Sequence, residues 1–291
     1  MDFRALKSFL AVAEAGSITK ASEILGLSQP ALSRQLQELE RDVGKILLIR
    51  GSKNTKLTEE GQFLRKRAQE ILDLTQKTRA ELTQTDNNIS GDVWVGGGES
   101  EGMRLIAKTA CSLQREFPNI RIHLLSGNWD DIEERLEKGL VDFGVVAGSI
   151  NPNKYDFLRL PAEHSAGLLM RKDSPLASHS VIIPNDLQDI PIISSRNDEM
   201  KRRYTEWLGY EFDTLNVVAT YNLIFNAAFL VEEGFGYALC WDGLIQTNAE
   251  HPLCFVPYEP CIKINIDMVW KKGQVFSKAS QKFLEHLQVA I

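Results

Sequence analysis

Only four cysteines occur in the 291 residues, Cys111, Cys240, Cys254 and Cys261, with no CxxC pair, and the five histidines are equally scattered. That spacing argues against a zinc ligand set or a paired redox motif, and leaves cysteine its ordinary role as a small buried hydrophobe. Long apolar runs are missing too: even Asn222 to Val231 is interrupted by polar residues, far short of the roughly 20 apolar residues of a spanning helix. No basic-then-apolar leader opens the sequence, so a cytoplasmic protein with no membrane partner is expected. GxSxG, HExxH and P-loop signatures are absent. The paired acids Asp130/Asp131 and Glu133/Glu134 fall on a predicted helix, where a solvated face is their usual role, so catalysis is disfavoured and no metal is expected.

What is present reads as folded protein. Hydrophobic residues make up 43% and charged residues 25%, near globular averages, and the length suits two domains. The net charge of -6 is unevenly placed. Positions 1 to 67 hold twelve Lys or Arg against eight Asp or Glu, so this head is +4 and the remainder -10. A cationic head on an acidic body points to a polyanion partner for the head alone.

Phe3, Leu6, Phe9, Leu10 and Ala13 recur at helical spacing. Gly16 and Ser17 close that helix and open a second, from about Thr19 to Leu25, which stops at Gly26. Ser28 then caps a third helix with Pro30 in its first turn, Leu32, Leu36 and Leu39 buried, and Gln29, Ser33, Arg34 and Gln37 outward. Helix, Gly-containing turn and a capped second helix with a polar face is the helix-turn-helix pattern, whose second helix enters the major groove. Ile46 to Arg50 and Thr55 to Leu57 are predicted as two strands around the turn Gly51, Ser52, Lys53 and Asn54. They form a wing whose Arg50, Lys53 and Lys56 reach phosphates or the minor groove. Gln29 is the predicted base reader, Pro30 and Ala31 offer apolar contact to a thymine methyl, and Ser33 and Arg34 serve either bases or phosphates. Arg50, Lys53 and Thr58 serve the backbone, setting affinity more than sequence choice.

From the cap Thr58 a helix is predicted to about Thr85. Along it Gly61, Leu64, Ala68, Ile71, Thr75, Thr78 and Leu82 fall at three- and four-residue steps, and Leu72 widens the stripe. This seam suits pairing with a second helix, with Leu64, Ala68, Ile71, Leu72, Thr75 and Leu82 as dimer residues; the same stripe suits packing on the chain's own head. A polar stretch, Gln84 to Ser90, reads as a hinge. Beyond Gly91, strands at Val93–Val95, Ile120–Leu125 and Phe143–Val146 alternate with helices at about 101–116 and 130–138, a βαβαβ order that implies a parallel sheet. A second α/β set follows, with strands at Ala166–Met170, Pro191–Ser194, Leu215–Ala219 and Tyr237–Trp241 and helices near 199–208 and 222–232. The tail adds a strand at Ile262–Trp270 and a helix at Ser277–Leu287.

The stretch Ala11 to Arg50, AVAEAGSITKASEILGLSQPALSRQLQELERDVGKILLIR, resembles the winged head of the LysR-type bacterial transcriptional regulators, and LTEEG (Leu57 to Gly61) matches the start of that family's linker helix. Leu48 departs from the family's usual Phe, which implies a repacked core. SGDVWVG (Ser90 to Gly96), REFPNIRIHLLSGN (Arg115 to Asn128), LEKGLVDFGVV (Leu136 to Val146) and LVEEGFGYAL (Leu230 to Leu239) resemble its effector-binding domain, in the right order. The resemblance implies a multi-domain protein: a winged helix-turn-helix domain at 1–58, a linker helix and hinge at 59–89, and a two-lobed α/β effector-binding domain at 90–291 with type II periplasmic-binding-protein-like architecture. Both interlobe crossings would be strands, giving lobe I about 90–163 and 266–291 and lobe II about 164–265. It also implies a homodimer or homotetramer, double-stranded DNA with an interrupted dyad, contact with RNA polymerase, and a small-molecule effector in place of any cofactor.

In open α/β sheets ligands sit beyond the carboxyl ends of strands. The predicted effector residues are therefore Gly98 and Ser100 in the loop GGGESEG (Gly96 to Gly102), Asn128 and Trp129 after the second strand, Gly148 after the third, Ser194, Ser195 and Arg196 in the second lobe, and Tyr221 with Asn222 at a helix start. That loop fails both the GxGxxG and the P-loop pattern. Glu99 and Glu101 either cap the helix dipole or select a cationic or uncharged ligand. An effector-free architectural DNA-binding protein is the competing reading, and it leaves the large body without a task.

Overall fold

The computed structural model describes residues 1–51, 54–82 and 89–291. Lys53, the side chains of Arg50 and Leu82, and the predicted hinge as far as position 88 lie outside the described residues. The chain divides into two compact units, Met1–Thr83 and Gln84–Ile291.

The first unit follows from its caps. Asp2 accepts the Ala5 N–H at 2.7 Å and starts α1 (Phe3–Ala15), which ends at Gly16 with φ +62°. Ser17 caps α2 (Ile18–Leu25) and Ser28 caps α3 (Gln29–Val43). The apolar faces meet in one core of Leu6, Phe9, Val12, Ala21, Leu32, Leu36 and Leu39, with Leu47 and Leu48 filling it from the wing side. Strand β1 (Leu48–Arg50) pairs antiparallel with β2 (Thr55–Leu57). It is shorter than predicted because the preceding backbone is held elsewhere. The Glu40 carboxylate accepts the N–H groups of Leu47 and Leu48 at 2.9 and 3.1 Å, and the Ile46 carbonyl accepts the Thr58 hydroxyl at 2.8 Å. The same hydroxyl accepts the Gly61 N–H at 2.9 Å, which caps α4 (Glu59–Leu82).

Of the two roles open to the α4 stripe, Ala68 takes packing on the head. Ala68, assigned to a dimer seam, is fully buried in the head's own core, with Leu64, Ile71 and Leu72 packed partly buried on it. The Thr75 hydroxyl turns back to the Ile71 carbonyl at 2.7 Å. A small residue at this position admits close approach of the chain's own helices as readily as of a partner's.

The second unit contains β3 (Gly91–Gly97), α5 (Gly102–Glu116), β4 (Ile120–Ser126), α6 (Trp129–Glu137), β5 (Phe143–Ala147), β6 (Tyr155–Arg171), β7 (Ile192–Ser195), α7 (Asp198–Leu208), β8 (Val217–Tyr221), α8 (Ile224–Glu232), β9 (Tyr237–Trp241), β10 (Leu253–Pro257), β11 (Lys263–Lys271) and α9 (Lys278–Ala290). The strand order is β4-β3-β5-β11-β6-β9-β7-β8, with β10 also on β6. Each lobe has a parallel centre, β4-β3-β5 and β9-β7-β8. The sheet is mixed rather than parallel, because β6 and β11 cross between the lobes antiparallel to each other and to their neighbours. The tail returns to lobe I, where Ala279, Phe283 and Leu287 of α9 pack with Val93, Ile106 and Phe143.

β6 is far longer than the predicted Ala166–Met170, and β10 was not expected at all. Pro161 interrupts the apolar pattern of β6 and lacks an N–H for a ladder. It sits where the pairing with β11 shifts register, between Glu163↔Asn265 and Arg159↔Asp267, so no ladder bond is lost.

Candidate functional site

Two surfaces gather the predicted site residues. On the head, Gln29, Pro30, Arg34 and Gln37 are exposed along the outer face of α3, with Ala31 and Ser33 half-buried beside them. The helix is held from behind by Leu32, Leu36 and Leu39 and by the Ser8 hydroxyl, which donates to Gln35 Oε1 at 2.7 Å across to α1. The wing is fixed at both ends, by Glu40 at the start of β1 and by the Thr55 N–H donating to the Gly16 carbonyl at 2.8 Å. Sequence reasoning missed Glu40, Ser8 and Gln35, whose roles depend on tertiary neighbours. The Thr58 hydroxyl is committed to the Ile46 carbonyl and the Gly61 N–H, which ties the segment before β1 to the start of α4.

The second surface is the cleft between the lobes of the body, a cavity of about 180 Å³ at the carboxyl ends of β3, β4, β5, β7, β8 and β9. Gly98, Asn128, Trp129, Ser195, Arg196, Tyr221 and Asn222 line it together. Ser100, Gly148 and Ser194 are not among its lining residues, for identifiable reasons. The Ser100 hydroxyl accepts the Gly102 N–H at 2.9 Å at the start of α5. Gly148 has φ +136°, and a Cβ there would lie 3.1 Å from Glu199 Oε2, so it makes room for that carboxylate. Ser194 is only 2% exposed because successive residues of β7 point to opposite faces. Tyr221 lines the cavity with its ring, while its hydroxyl donates to the Leu239 carbonyl at 2.5 Å and burial pushes its pKa up.

The cleft is clasped by carboxylates from both sides. Glu99, at the end of β3, accepts the N–H groups of Ile224 and Phe225 at 2.6 and 3.3 Å and so caps α8 of the opposite lobe. Of the two roles open to Glu99, this is the dipole-capping one, on a helix far away in sequence. Glu199 of α7 accepts the Ser149 hydroxyl at 2.9 Å and the Arg203 guanidinium at 2.8 Å. Burial penalises its charge, but Arg203 and Ser149 outweigh that and hold the carboxyl below its usual pKa. At the hinge, His164 on β6 is 1% exposed; its Nε2 accepts the Glu101 N–H at 3.3 Å, which leaves Nδ1 to donate to Asp242 at 3.1 Å. Asp130, Asn197 and Trp241, which line the cavity, were not predicted for this site, nor were Glu199 and His164, which brace the lobes beside it. Only the strand-end rule could have pointed to Asn197 and Trp241.

Comparison with known proteins agrees with this geometry. The LysR substrate binding domain matches residues 87–290, and the bacterial regulatory helix-turn-helix protein, lysR family, matches 3–62. The SDS degradation transcriptional activation protein of a Pseudomonas species is 36% identical over 46% of this chain and 44% of that protein. The HTH-type transcriptional regulator BudR of Raoultella terrigena is 26% identical over 98% of this chain and 99% of that protein. The solved structure of full-length CbnR complexed with its target DNA shares the fold, with TM-score 0.77, 19% identity and 100% coverage of each chain. The chain belongs to the LysR-type family of transcriptional regulators. It is a DNA-binding transcriptional regulator with an effector-binding domain, in a family of regulators rather than enzymes. Among the described residues no helix is long and apolar enough to cross a membrane.

Proposed function

We propose that this protein reads an interrupted-dyad operator through paired heads and adjusts transcription in response to a small molecule held in the interlobe cleft. The observation that carries the reading is the cleft itself, where seven of the predicted residues, drawn from both lobes, line one cavity at the ends of six strands. Ligand binding there shifts the population of lobe arrangements, and the heads respond through a change in half-site spacing or DNA bend, which alters contact with RNA polymerase. Gln29 reads bases, Pro30 and Ala31 contact a thymine methyl, Ser33 and Arg34 serve bases or phosphates, and Arg50 and Lys53 grip the backbone of the adjacent groove. The protein acts in the cytoplasm.

Homodimerisation through α4 is part of this reading, with tetramers formed through the bodies. Since Ala68 is taken by the head core, the outward apolar residues Phe63 and Leu74, 67% and 43% exposed, are the better support for a partner helix. They lie about three turns apart on one face. Two heads so joined place half-sites about 34 Å apart, one turn of DNA, or a multiple of it.

Footprinting tests the division of labour. Gln29→Ala should cost about 1–3 kcal/mol at one base position and flatten sequence preference, because a bidentate base contact is lost. Lys53→Ala should weaken all sites alike and reduce the salt slope by about 1. Normal footprints from both variants would show that the recognition surface lies elsewhere.

A further inference from the structure

The cleft's own polar groups indicate what kind of molecule it takes, provided it is the effector site proposed above. Anionic ligands are commonly held at helix N-termini, where unpaired N–H groups and the dipole favour negative charge. Each helix that starts at this cleft has at least one of these groups engaged by the chain itself. The Ser100 hydroxyl and His164 serve the start of α5, and Asn128 accepts the Asp131 N–H of α6 at 2.9 Å. Asn197 accepts the Met200 N–H of α7 at 3.1 Å, and the Glu99 carboxylate holds α8. A carboxylate ligand seeking the α8 terminus would have to displace a resident carboxylate.

The remaining charges of the cavity lining form two poles. Glu99 and Asp130 come from lobe I and Arg196 from lobe II. An ionised carboxylate offers about four lone-pair sites. α8 uses two of those on Glu99, and neither Glu99 nor Asp130 has an ion-pair partner among the described residues. Arg196 is steadied by its Nε, which donates to Thr220 Oγ1 at 3.0 Å. Its terminal nitrogens have no protein partner among the described residues and form a fork suited to a carboxylate. The volume of about 180 Å³ is below that of drug-sized pockets, and Trp129 and Trp241 supply aromatic wall.

We infer that the effector is a small zwitterion of the free amino-acid type, its ammonium set against Glu99 and Asp130 and its carboxylate held by Arg196. Neither pole alone accounts for the lining. A plain acid meets Glu99 and Asp130 unfavourably, and a plain amine leaves the Arg196 fork empty.

The test uses the full chain and its thermal unfolding followed by tryptophan fluorescence. The probes are three matched sets: the standard amino acids, the amines that lack their carboxylate, and the acids that lack their ammonium. At least one amino acid should raise the transition temperature at a concentration where its amine and acid counterparts do not. Glu99→Gln and Arg196→Gln should each weaken that ligand about tenfold, as expected when a hydrogen bond to a charged group is lost. Asp130→Asn at an exposed position gives the same readout if Glu99→Gln lowers the unliganded transition. Stabilisation by acids alone, unchanged or strengthened in Glu99→Gln, would overturn the zwitterion assignment and leave the cleft as an effector site. No stabilisation by any of the three sets would overturn the assignment and count against the effector reading as well.

Discussion

Gly61→Ala should abolish duplex binding while leaving the body's unfolding transition where it is. A Cβ at position 61 would lie 2.1 Å from the Leu47 carbonyl oxygen, a backbone atom that also accepts the Thr58 N–H at 3.0 Å. No side-chain rotation relieves such a contact. Either α4 moves away from the start of the wing, or Leu47 and Leu48 withdraw from a core in which they are 2% and 4% exposed. Overpacking alone costs about 1–3 kcal/mol, and the loss of the Thr58 bond and of two buried leucines takes the expected destabilisation to about 3 kcal/mol or more. All five tryptophans lie at position 94 or beyond, so fluorescence reports on the body and duplex binding on the head. Wild-type affinity and far-UV melting in Gly61→Ala would show that α4 does not rest on the wing as described.

The converse result is expected from Gly167→Val. Gly167 lies in β6 between β9 and β10, and a Cβ there would meet the Phe255 ring at 2.3 Å and the Val256 carbonyl oxygen at 2.5 Å. A branched side chain forces β10 off the strand that also carries the interlobe crossing. The loss should exceed about 4 kcal/mol, in the range reserved for disrupted cores. The tryptophan transition should fall sharply, and ligand-induced stabilisation should vanish. A truncated head, residues 1–83, is unaffected by definition, so any loss of DNA binding in the full-length variant measures how far the body controls the head. An unshifted transition would contradict the assigned pairing of β6 with β10.

Head and body fall on different sides of what the sequence makes legible. The head is written in local signals: Ser17, Ser28 and Thr58 are caps, Gly16 and Gly26 are helix ends, and Leu32, Leu36 and Leu39 set the phase of α3. Each acts within a turn or two, so single-sequence reasoning reaches it. The body's strand-helix alternation is legible for the same reason. β6 runs through Pro161, a local signal against a strand that is overridden by a register shift only the partner strand β11 shows. Of two adjacent serines in β7, strand phase turned Ser194 into the interior and Ser195 to the cleft. Ala68 fits a seam or a core equally well, and only the three-dimensional neighbours decide. Glu99 is the sharpest case, because its partners at 224 and 225 belong to the other lobe.

A cationic head grips duplex DNA, and the salt dependence of that grip is its most direct test. Titrating full-length protein onto the duplex upstream of its own reading frame should show affinity falling by about 10³-fold or more between ~50 and ~200 mM salt, as phosphate contacts release counterions. The same duplex should outcompete random DNA by about 10³-fold or more. Binding that ignores salt, or no retention of any duplex, would contradict it.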